Sequence, residues 1–72
     1  MTRYRTQVVR ASRDNAMIGQ CYVWRFGRWA WIGETKRFYA GPAIVRARSA
    51  ATGLCRRHAA HHGVTGFAIE KE

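Results

Sequence analysis

The sequence predicts a small α+β domain of order β-β-β-α-β, with an antiparallel or mixed sheet and one amphipathic helix packed on one face. Three observations predict it. Residues 20–34, QCYVWRFGRWAWIGE, read as a tight β-hairpin. Residues 42–62 open on a proline, close on Gly63 and repeat apolar residues at helical spacing. Short alternating runs at residues 4–10 and 64–70 supply a strand at each end.

The first run, YRTQVVR, sets Tyr4, Thr6 and Val8 against Arg5, Gln7 and Val9. Residues 11–19 read as a loop whose turn chemistry comes from Asp14 and Asn15, with Met17 and Ile18 as anchors into the core. In the hairpin, Gly27-Arg28 fits a two-residue type II′ turn, because glycine takes the positive φ without steric cost. That register pairs Phe26 with Trp29, Trp24 with Trp31 and Tyr22 with Gly33. Five aromatics, Tyr22, Trp24, Phe26, Trp29 and Trp31, then share one face, and Cys21, Val23, Arg25, Ala30, Ile32 and Glu34 share the other. Residues 35–41 prolong the second strand or lead into the helix.

Pro42 suits the first helical position, where its missing N–H is not needed, and Gly63 suits the position just past the end. Steps of about 100° per residue put Ile44, Ala47, Ala51, Leu54, Cys55 and His58 on one side. Arg46, Ser49, Gly53, Arg56 and Arg57 fall on the opposite side, and Arg48 lies at the edge of the buried stripe, its stem running outward. Gly53 costs a mid-helix position about 1 kcal/mol against alanine. It marks either a close approach from outside or a tolerated weak point.

The small residues of the helix leave room for large ones opposite, so the aromatic face is the favoured core. Five exposed aromatics would make an unusually large apolar patch. The alternative, an open aromatic face, would stack the bases of single-stranded nucleic acid or seal a dimer.

A chain of 72 residues is one domain with little stability to spare, which makes a homodimer, through an edge strand or the open sheet face, a reasonable expectation. It carries 13 Lys and Arg against 4 Asp and Glu, a net charge of +9, and 11 of the 13 are arginine. Such charge favours a polyanionic partner, and arginine is the residue that grips phosphate bidentately and stacks on bases. The bland alternative is the arginine- and alanine-rich coding of a GC-rich genome. Candidate phosphate contacts are Arg3, Arg5, Arg10 and Arg13, then Arg25 and Arg28 on the hairpin, Lys36 and Arg37 after it, and Arg46, Arg56 and Arg57 on the helix. Trp24, Trp29 and Trp31 are the candidate stacking or interface residues.

No apolar run reaches the ~18–20 residues of a membrane span, and the basic N-terminal stretch has no signal-peptide core. The expectation is a cytoplasmic chain with Cys21 and Cys55 reduced. Cys55, His58 and His62, with His61 beside them and Cys21 as a fourth ligand, have the donor types zinc prefers. They lack knuckle spacing, and a small core cysteine with histidines at a helix C-terminus explains them better. No metal or cofactor is therefore expected. The acids Asp14, Glu34, Glu70 and Glu72 form no pair for acid–base work, and no enzyme is expected.

The layout YVWRFGRWAWIGE, then TKRFYAG, then a proline-started Ala/Arg helix resembles the AP2-like and integrase arm-binding three-stranded DNA-binding domains over residues 20–62. That resemblance implies a sheet reading the major groove through Arg25, Arg28, Lys36 and Arg37. The chain departs from the family in drawing one sheet strand from its N-terminal segment and in adding a terminal strand. The basic, Arg/Ala/Trp-rich character, with its helix AIVRARSAATGLCRRHAAHHG, resembles small orphan proteins of actinobacteriophages. That implies an accessory viral protein acting in the host cytoplasm on nucleic acid or a host protein. The leading expectation is a nucleic-acid-binding accessory protein, DNA more than RNA. The second is an interaction factor or inhibitor docking on an acidic host protein surface.

Overall fold

A computed structural model describes residues 1–39 and 41–71. The elements run β1 (Thr2–Arg10), β2 (Met17–Arg25), β3 (Arg28–Glu34), α1 (Ala43–His61) and β4 (Phe67–Lys71). They form one four-stranded mixed sheet of order β3-β2-β1-β4. β1 pairs antiparallel with β2, and β2 with β3. Helix α1 carries the chain back across the sheet to the far edge, where β4 lies parallel to β1. This is the α+β class expected from the sequence.

The N-terminal loop is shorter than its composition suggests. Met17 and Ile18 are strand residues opposite Arg10 and Val9, so β2 starts two residues before Gly19. The loop is held by Asp14, whose Oδ1 accepts from the Ala16 amide at 3.3 Å and whose Oδ2 accepts from the Tyr39 hydroxyl at 3.0 Å. Arg37 lies 3.6 Å from the same carboxylate. These contacts, with the reciprocal Met17–Phe38 backbone pair, fasten the segment after β3 to the start of β2. Residue 40, within the stretch read as a strand extension or helix lead-in, lies outside the described residues.

The hairpin turns one residue earlier than expected. Phe26 at φ 51° and Gly27 at φ 78° are the two turn residues, which is type I′ rather than II′. Trp24 therefore faces Trp29, and Tyr22 faces Trp31. Phe26 leaves the aromatic row and is 99% exposed at the tip. A shift of register between Cys21 and Tyr22 follows, so Gln20 meets Glu34. Glu34 thereby joins the face of Gln20 and Tyr22 instead of the Cys21 face.

The sheet buries the face opposite to the favoured one. The core consists of Tyr4, Cys21 and Val23 from the sheet with Cys55 and Ala59 from the helix, and Ala30, Ile32, Leu54, Val64, Phe67 and Ile69 pack around them. Thr6, Ala47 and Ala51 are also fully buried. The helix's small residues do not make room for aromatics. They let the helix approach the sheet backbone. A Cβ on Gly19 would stand 2.2 Å from the Ala47 carbonyl oxygen and 2.9 Å from the Ala51 Cβ. No indole layer fits such a gap.

Cys21 and Cys55 sit across the same close contact and are joined by a disulfide, their Cα atoms 6.1 Å apart. This replaces the expectation of two reduced thiols. It also removes both sulfurs from any zinc site.

The helix lies where the sequence signals put it, but Pro42 stands one position earlier than expected, as the N-cap before Ala43, with the Arg46 amide donating to the Pro42 carbonyl at 3.0 Å. Gly63 at φ 67° ends it, and the Val64 amide returns to the Ala59 carbonyl at 2.8 Å. The buried stripe is Ala47, Ala51, Cys55 and Ala59. Ile44, expected on that stripe, is 49% exposed, because an i, i+4 row drifts around the helix and Ala59 takes its place.

Candidate nucleic-acid interface: the open sheet face

Pairing places three rows of side chains on the face away from the helix. Trp29, Trp24, Arg3 and Ala68 form one row across the four strands. Trp31, Tyr22, Arg5 and Glu70 form the next, and Glu34, Gln20 and Gln7 the third. The alternation of β1 noted in its sequence, with Arg5 and Gln7 opposing Tyr4 and Thr6, is what brings the arginines here.

The aromatics form two edge-to-face pairs. Trp24 and Trp29 have ring centroids 5.2 Å apart, and Tyr22 and Trp31 5.9 Å. Arginines lie over them. The Arg3 guanidinium is 5.5 Å from the Trp24 centroid and 5.4 Å from that of Trp29, and Arg5 is 4.5 Å above Trp29. Arg3 is also anchored by Glu70, its Nε donating at 2.8 Å and its Nη2 lying 2.7 Å from Oε2. The Tyr22 hydroxyl donates to Gln20 Oε1 at 2.9 Å. Between these groups lies a recess of 230 Å³ lined by Arg5, Gln7, Tyr22 and Trp29.

The face is open to solvent. Trp31 is 53% exposed and Trp24 39%, while Trp29 and Tyr22 are half-buried. Beyond its end stands Phe26. A bulky residue at positive φ is strained by about 1–3 kcal/mol, and such strain concentrates at functional positions.

The arginines nominated from the sequence do not gather in one place. Arg25 shares the helix-side face of Cys21 and Val23, close enough for its charge to act on Tyr4 and His58. Arg28 pairs with it at the hairpin base. Lys36 lies 5.6 Å over Phe38, and Arg37 pairs with Asp14. Arg46, Arg56 and Arg57 are exposed on the helix, across the sheet from the tryptophans. Trp24, Trp29 and Trp31 do come together, and Arg3 and Arg5 are the cations that join them. Gln7 and Gln20 were missed. They meet only through the β1–β2 register, which no local sequence pattern encodes.

At the other end of the core, the Tyr4 hydroxyl and His58 Nδ1 are 2.9 Å apart. Burial pushes the Tyr4 phenol above its ordinary range, against a smaller opposing effect of Arg25. Burial pushes His58 down, reinforced by His62, Arg25 and His61. The three histidine rings lie in a chain, with centroids 4.3 Å apart for His58–His62 and 5.1 Å for His61–His62. Among the described residues, no group of three His, Cys, Asp or Glu converges on a position for a metal ion, and no helix is long and apolar enough to cross a membrane.

No protein-family model matches the chain, no curated protein is significantly similar to it, and no solved structure matches its fold.

Proposed function

We propose that the chain binds single-stranded nucleic acid on the open sheet face, with bases stacking on Trp24, Trp29 and Trp31 and phosphates held by arginine. The observation that carries this reading is two adjacent rows holding four aromatics on the face the helix leaves open, with two guanidinium groups over the Trp24 and Trp29 rings. Rings of this kind have a π-face for every base, and each stack is worth about 1–3 kcal/mol. Guanidinium planes stack on bases as well as gripping phosphate. The net charge of +9 supplies the long-range attraction. Phe26, 99% exposed at the hairpin tip, adds one more ring beyond the end of the face.

The AP2-like resemblance leads to a different arrangement. Its contacts would be Arg25, Arg28, Lys36 and Arg37, which do not share the open face. Docking on an acidic protein would draw on the same exposed Trp and Arg side chains, which are interface hot-spot types. Stacking accounts better for several planar rings presented together.

The test is a fluorescence-anisotropy titration with labelled single-stranded DNA, single-stranded RNA and duplex DNA at several salt concentrations. The expected result is micromolar or tighter binding to single strands, with tryptophan quenching and a steep salt slope. Absence of binding at low salt, or duplex binding without quenching, contradicts it.

A further inference from the structure

The open face carries a polar group that stacking alone does not use. Its recess of 230 Å³ is bounded by Trp29, Tyr22, Arg5 and Gln7. That volume is below the range of about 300–1,000 Å³ typical of drug-sized sites and suits one planar heterocycle. Three of the lining groups are flat: two aromatic rings and the Arg5 guanidinium, which lies 4.5 Å over Trp29. The fourth is a side-chain amide.

Gln7 and Gln20 stand opposite each other in the β1–β2 register, and both are half-buried. Their amides are differently engaged. Gln20 Oε1 accepts from the Tyr22 hydroxyl at 2.9 Å, which holds that ring in place and commits the Gln20 carbonyl. The Gln7 side chain lines the recess and makes no hydrogen bond among the described residues. Its carbonyl acceptor and its NH₂ donors are thus both available to a molecule in the recess.

We infer that this recess seats one base of a bound single strand and that Gln7 selects adenine there. The inference rests on the single-strand binding proposed above. The base lies against the rings of Trp29 and Tyr22 and the guanidinium plane, surfaces on which bases stack. Its edge meets Gln7. An amide offers one donor and one acceptor side by side. Adenine presents the complementary pair on both its edges, its exocyclic amine beside N7 on one and beside N1 on the other. Guanine shows two acceptors, O6 and N7, on its major-groove edge and so matches the amide on one edge only. Pyrimidines match it as well but offer a smaller stacking surface. An aromatic platform is by itself tolerant of sequence, so Gln7 is the specificity-determining residue of this face.

The test is an anisotropy titration at fixed salt with labelled oligo(dA), oligo(dT) and an oligomer of deoxynebularine, which is deoxyadenosine without the exocyclic amine. The protein should bind oligo(dA) at least about fivefold more tightly than the nebularine oligomer, the smallest discrimination expected of a bidentate amide–adenine pair. In Gln7→Leu, which keeps the bulk of the side chain, that ratio should fall to near one. Gln7→Ala should give the same result, and thermal unfolding of each variant shows that it is folded. Comparing ratios between protein variants cancels the difference in stacking between the two oligomers. A ratio near one for the unaltered protein, or a ratio that survives both substitutions, overturns adenine selection. If oligo(dT) still binds with tryptophan quenching in that case, the stacking reading stands without it. Absence of binding to all three oligomers overturns both.

Discussion

The two faces of the sheet contain similar numbers of residues and are built on opposite rules. The covered face is made of side chains that allow contact: Gly19 against Ala47 and Ala51, and Cys21 against Cys55. The open face carries the large rings, Tyr22, Trp24, Trp29 and Trp31, with Arg3 and Arg5 over the tryptophans. A domain of this size would ordinarily use its aromatics for stability, since each buries roughly 150–250 Å². Here the core is Tyr4, aliphatic and small residues and a cross-link, and the three tryptophans remain on the open face. If the open face binds as proposed, stability and binding reside on different faces, so variants of one face should leave the other property largely unchanged.

The largest expected effect breaks the covered face. The disulfide closes a loop with a sequence separation of 34 residues. By the chain-entropy relation its removal costs roughly 3–4 kcal/mol. Denaturant unfolding of Cys55→Ala should show that loss. An unchanged midpoint would mean that the helix docks without the cross-link.

Trp31→Ala addresses the open face. Single-strand affinity should fall by about 1–3 kcal/mol, while stability changes by less than about 1 kcal/mol, as for other surface positions. A variant that unfolds would place the ring in the core's cooperative unit and merge the two faces.

Phe26→Asn sharpens the comparison at the tip. Asparagine accepts the positive φ that phenylalanine resists, so stability should rise by about 1 kcal/mol. Nucleic-acid affinity should fall if the strained ring serves binding. A rise in stability with affinity intact would make Phe26 a bystander.

The smallest effect is the pH dependence of the covered face. Burial holds His58 below the ordinary histidine range, so the unfolded chain takes up the proton more readily than the folded one. The stability contribution is complete above about pH 6.5, the unperturbed value, and is lost as pH falls through the folded value. Chemical unfolding between neutral and mildly acid pH should show this decline, and His58→Gln should flatten it.

Much of the fold is legible in the sequence because its signals are local. Pro42 and Gly63 bracket the helix by backbone chemistry alone, and the alternation of residues 4–10 marks a strand. Two features are not legible for physical reasons. A type I′ turn with phenylalanine at positive φ goes against local preference, so Gly27 drew the turn one residue too far along. The choice of buried face depends on how closely the helix approaches, and alanines are compatible with either large or small partners. The contact between Gly19 and the Ala47 carbonyl decides it, and that contact joins residues far apart in sequence. The grouping of Trp24, Trp29 and Trp31 on one face was legible, whereas the placement of Arg3 and Arg5 over that face depended on strand pairing.

The most direct test of the central claim follows the three indole N–H signals and the helix amides by NMR while oligo(dT) is added. All three tryptophans are on the open face, so their indole signals should shift together and saturate at one concentration. The amides of Ala47, Ala51 and Ala59 should stay in place. Helix amides that move while the indoles remain still would contradict the account and move nucleic-acid binding to the opposite side of the protein.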